Sequence, residues 1–149
     1  MDITIHNRQR KIPLDKERIR FWVSAILSMQ KVEDAAVGVV FVSDRVIRQY
    51  NRQYRGVDKA TDVLSFPMME PDDLHGESVL GDIMISLERA KEEAPLFGRD
   101  DTAHLLGLLI HGILHLLGYD HEQSRQEEVR MQRREKLLFA KIYKRRYPL

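Results

Sequence analysis

Ile3 and Ile5 alternate with Asp2, Thr4 and His6, the period-two pattern of a short strand over residues 2–7. Pro13 and Asp15 then open a helix that runs to about Gln30. Its apolar positions Ile19, Trp22, Val23, Ile26 and Leu27 keep the i, i+3, i+4, i+7, i+8 spacing of a stripe turned toward a core. Residues 35–42 are β-branched and uncharged, which predicts a buried strand. Ser43 or Asp44 caps a second helix, predicted to end near Arg52 and to bury Val46, Ile47 and Tyr50. A loop over residues 54–60 leads into a strand over residues 61–66, stopped by Pro67.

The acidic stretch 68–78 contains Pro71 and Gly76 and reads as an exposed loop. Residues 79–85 form the next predicted strand, where Gly81 and Asp82 signal a bulge or a site. Ser86 caps a charged helix ending near Pro95, and Asp100 or Asp101 caps a largely apolar helix over residues 102–117. A helix apolar on most sides belongs in the middle of a fold. Ser124 and Glu127 form a capping box that opens the last helix. Strands and helices mix without strict βαβα alternation, so the expected architecture is α+β, a small helix-covered sheet.

Composition bounds this picture. A chain of 149 residues suits a single domain over 1–149. It carries no apolar run long enough to span a membrane and opens without the pattern of a signal peptide. There is no cysteine, so disulfides and thiolate ligands are excluded and any metal must rest on histidine or carboxylate. These features together suggest the cytoplasm. The net charge of +1 is unevenly spread. Arg45, Arg48, Arg52, Arg55 and Lys59 face only Asp44 and Asp58, and Lys141, Lys144, Arg145 and Arg146 crowd the tail. Basic segments of this kind engage phosphates, although solvated helix faces look alike in sequence.

The chemistry concentrates between Leu109 and His121. On a helix, His111 and His115 lie one turn apart on the same face. This spacing lets one helix give two imidazoles to one zinc at about 2.0–2.1 Å. Gly118 accepts positive φ and ends the helix, so the chain doubles back and His121 can supply a third ligand. The spacing HxxxHxxGxxH occurs in metzincin zinc sites. Three protein ligands leave a fourth position open, the catalytic arrangement. His104 faces nearly the same way and is read as a core or supporting histidine, while His6 and His75 are read as incidental. Asp82 and Asp120 either orient a ligand imidazole or cap a turn.

One position separates the possible reactions. Where HExxH peptidases carry the glutamate general base, this chain has Gly112. A phosphodiester needs less base assistance and more charge stabilisation, and it fits the site better.

His111 to His121, HGILHLLGYDH, resembles the HGxLHLxGYDH signature of the YbeY family of bacterial ribosomal-RNA maturation factors. Asn51 to Pro67 resembles a second family block, Leu80 to Ile83 a third, and Met131 and Glu135 also match family positions. Tyr50 and Ala60 depart from the usual leucine and proline. The resemblance implies a metal-dependent, single-strand-directed endoribonuclease acting in small-subunit rRNA 3′-end maturation and ribosome quality control. It implies a small, mostly parallel sheet with helices around it. It places one divalent ion, zinc, on His111, His115 and His121, and a functional arginine at Arg55. Arg55 also sits in the basic run before a strand, where a guanidinium suits a phosphate. The partners implied are single-stranded RNA, the small ribosomal subunit and its proteins. Two rival expectations remain. One is another zinc hydrolase such as a peptidase; the other is a ribosome-assembly factor whose structural metal takes its fourth ligand from His104 or Asp120.

Overall fold

The computed structural model describes residues 1–68, 78–120 and 122–144. In chain order the elements are β1 (Asp2–Asn7), α1 (Lys16–Met29), β2 (Ala35–Val42), α2 (Asp44–Arg55), β3 (Val63–Pro67), β4 (Ser78–Ser86), α3 (Leu87–Glu93), a 3₁₀ turn (Ala94–Phe97), α4 (Asp101–Leu116) and α5 (Arg125–Tyr143). The expected α+β sheet is present. Its strand order is β1-β2-β4-β3, with β1, β2 and β4 parallel and β3 antiparallel along one edge.

Local signals set most of the boundaries. Asp15, Ser43, Ser86, Asp100 and Ser124 each accept a backbone N–H from the first turn of the helix they precede. On β4, Leu80 is squeezed out of register between Val79, opposite Ala36, and Gly81, opposite Val37. Gly81 has φ +130°, and a Cβ there would run into the carbonyl oxygen of Phe66. The bulge expected from the sequence is therefore held by a residue that only glycine can supply.

The sheet has two unequal faces. Ile3, Ile5, Val37, Val39, Ile83 and Ile85 pack against α1 and α4 in the main core. On the other face Val42, Leu64 and Met84 enclose Ile47 of α2 in a smaller cluster. The second helix differs from its sequence expectation. It continues to Arg55 and stops only where Gly56 turns left-handed at φ +70°. Val46 and Tyr50 are only partly covered, and Asn51 is the buried polar residue, donating through Nδ2 to the Lys59 carbonyl at 2.9 Å. That bond draws the 56–60 return back toward the helix. No helix among the described residues is long and apolar enough to cross a membrane.

Candidate active site

The position of α4 is set by glycine as much as by its apolar residues. A Cβ on Gly112 would stand 3.1 Å from two side-chain carbons of Ile83, so this face of the helix lies directly on β4. Ser65 on β3 donates through Oγ to the Gly112 carbonyl at 3.3 Å. With Gly112 turned into the sheet, His111 and His115 stand half-buried beside it. Their rings meet edge to face with centroids 4.6 Å apart. The helix then ends as its sequence suggests. Gly118, at φ +99°, donates to the His115 carbonyl (3.0 Å) and Tyr119 to the Leu114 carbonyl (3.0 Å). This paired closure is a Schellman motif, and it reverses the chain just past His115. Arg130 of α5 stacks on the Tyr119 ring at 4.4 Å and anchors the reversal.

Two further groups complete the surroundings. Glu135 of α5 places Oε2 3.3 Å from His111 Nδ1. A carboxylate on Nδ1 selects the tautomer in which Nε2 is the basic nitrogen, the usual support of a metal-ligating histidine. Arg55 ends α2 on the other side of the sheet, yet it lines the same cleft as His115, of about 420 Å³. The two meet around β3 because β3 is an edge strand, and Val63, Ser65 and Pro67 form the wall between them. Asp120 also lines this cleft, with Oδ1 accepting the Glu122 amide at 2.8 Å, the turn-capping role. Two adjacent imidazoles, one braced by a carboxylate, match the donor set of a divalent metal. His121 lies outside the described residues.

A protein-family model described as Endoribonuclease YbeY matches residues 4–143. The chain belongs to the YbeY endoribonuclease family. A Clostridium botulinum protein named Endoribonuclease YbeY is 39% identical over an alignment covering 91% of this chain and 95% of that protein. One of the same name from Desulforamulus reducens is 38% identical, covering 93% and 95%. The solution structure of TM1509 from Thermotoga maritima superposes with a TM-score of 0.65 at 30% identity. It covers 95% of this chain and 89% of that one. As a YbeY family member the chain is an RNA-cleaving hydrolase.

Not every residue singled out in the sequence reaches this cleft. Asp82 follows the bulge and projects from the sheet face opposite His111, over Gly38 and beside α2. It is thus removed from the histidines it was a candidate to orient. His104 is buried against Phe97 and Asp62, two turns before His111. Arg55 is a helix C-terminal residue rather than a loop residue, which fixes its backbone. His6 lies on the far face near Asp82, and His75 is outside the described residues. Glu135 and Ser65 hold the histidine helix in place without having been assigned a role from sequence. Glu135 carried only its match to the family, since nothing local ties a residue on α5 to one on α4.

Proposed function

We propose that this member of the YbeY family is a single-domain, metal-dependent endoribonuclease of the cytoplasm. It cuts single-stranded RNA in small-subunit rRNA 3′-end maturation and ribosome quality control. The observation that carries the reading is the cleft shared by Arg55 and His115, with His111 beside it and backed by Glu135. His111, His115 and His121 would hold the ion, zinc by donor type. When bound there it would supply Lewis acidity toward a phosphoryl oxygen and toward water.

The chain's own residues supply the rest. Arg55 directs a planar, permanently charged fork at the non-bridging phosphate oxygens, whose negative charge grows as the phosphorus becomes five-coordinate. Its attachment to the last turn of α2, tied down through Asn51 and Lys59, limits how far that charge can wander. Glu135 keeps the His111 ring in one tautomer and orientation. The exposed Arg45, Arg52 and Lys59 offer the flanking RNA backbone positive charge, whereas Arg48 is held by Asp58 at 2.8 Å. A peptidase reading is disfavoured by geometry as well as composition. A glutamate at position 112 would point at Ile83 in the core and away from the cleft.

The test separates charge stabilisation from metal binding. Arg55→Ala should keep full metal content and lower RNA turnover by about 10²–10³-fold, the typical loss on removing one transition-state donor. Arg55→Lys should restore only part of it, because an ammonium lacks the bidentate fork. Normal turnover in Arg55→Ala would remove the arginine from the mechanism.

A further inference from the structure

A second group of chemically able side chains gathers away from the cleft. Asp62 stands just before β3, Glu93 ends α3, and His104 lies in the first turn of α4. One carboxylate oxygen from each acid and one ring nitrogen of His104 all lie within 4.8 Å of one another. Bonds of about 2.0–2.2 Å to a shared ion call for ligand atoms roughly 3 Å apart, so a bound ion would draw these atoms inward.

His104 supplies the independent sign. It is 4% exposed, and among the described residues neither ring nitrogen has a hydrogen-bond partner. Its Nε2 points at Asp62 Oδ2 from 3.7 Å, beyond hydrogen-bond reach. Phe97 covers the ring face with centroids 5.1 Å apart. An imidazole buried without a hydrogen-bond partner among the described residues is costly. Burial also pushes His104 below its usual range, against the opposing pull of Asp62, a direction that favours the neutral form that ligates metals.

The two acids make the complementary case. They sit side by side; Arg89, which opposes the rise of Glu93, is itself paired with Asp44 at 2.8 Å and Glu92 at 3.2 Å, and Arg99 acts on His104. Burial, and then a hydrogen bond shared with Asp62, push Glu93 up to about 7. Two carboxylates this close repel each other unless a proton or a cation stands between them.

We propose that Asp62, Glu93 and His104 form a second divalent-cation site, separate from the histidine site of the cleft. One imidazole and two carboxylates suit Mn²⁺ and Zn²⁺. Seven residues of helix separate His104 from His111, about 10 Å, too far for the 3.5–4 Å pairing of a two-metal catalytic centre. The ion is therefore structural. It joins the entry of β3, which walls the cleft, to the end of α3 and the start of α4.

Mn²⁺ is the probe. In a His111→Ala/His115→Ala double variant, whose cleft site is disabled, titration followed by electron paramagnetic resonance should show one bound equivalent. Its pulsed spectrum should carry nitrogen coupling from His104. Asp62→Asn and Glu93→Gln, added singly, should weaken that binding at least tenfold. In the otherwise unaltered protein, Glu93→Gln should remove one equivalent whatever the cleft binds. Absence of Mn²⁺ binding in a folded double variant, or no change in stoichiometry on Glu93→Gln, would overturn the proposal.

Discussion

Replacing Glu135 with alanine tests whether the geometry around His111 is built for a metal. The carboxylate reaches Nδ1 at 3.3 Å, near the long end of the hydrogen-bond range, and each side chain is 30% exposed. Removing such a supporting partner typically lowers metal affinity 10–100-fold. The long, partly solvated contact places this pair at the lower end, about tenfold or 1.4 kcal/mol. The metal-free fold should lose less than about 1 kcal/mol, because a long, partly exposed polar contact of this kind contributes little to stability. Glu135→Gln keeps a carbonyl acceptor for Nδ1–H and should fall between the two. Competition for Zn²⁺ against a chromophoric chelator measures the first quantity, and urea unfolding of metal-free protein measures the second. Unchanged zinc affinity in Glu135→Ala would refute the reasoning, as would a loss that simply tracked unfolding.

Gly112→Ala brings a methyl 3.1 Å from Ile83 and should destabilise the fold by about 1–3 kcal/mol in urea, the usual range for overpacking. Gly118→Ala meets open space, yet its φ of +99° strains any L side chain, so a loss of about 1–3 kcal/mol is expected with no steric contact to explain it. Glu93 gives a pH signature. Its folded-state pKa of about 7 lies above the unfolded carboxylate range, so the folded chain holds the extra proton between the two. The stability it contributes is present in acid and is lost as pH rises through about 7. With chelator present, Glu93→Gln should therefore gain on the parent protein in urea midpoint between about pH 5 and pH 8, and a constant difference would contradict the assignment.

How much of this was legible in the sequence depends on how local the determining interaction is. Caps at Asp15, Ser43 and Ser124, the stripe on α1, the bulge at Gly81 and the reversal at Gly118 are each set within a few residues, and each appears where its pattern placed it. The end of α2 was placed too early although Gln53, Tyr54 and Arg55 contain no breaker. Gly56 is the true terminator, and Asn51 works through Lys59 beyond it. The pairing of His111 and His115 follows from helical periodicity alone. The arrival of Arg55 in their cleft does not, because it depends on β3 being the edge strand between two layers. Glu135 and the Asp62–Glu93–His104 group arise from elements far apart in the chain, brought together only by packing.

The central claim is metal-dependent RNA cleavage at the histidine cleft. The most direct measurement is cleavage of a short single-stranded RNA by protein stripped with chelator and then reloaded with zinc, with His115→Ala purified identically beside it. The account predicts that cleavage disappears on stripping, returns on reloading and is absent throughout in His115→Ala. Equal cleavage by the parent and His115→Ala proteins, or cleavage indifferent to chelation, would contradict it.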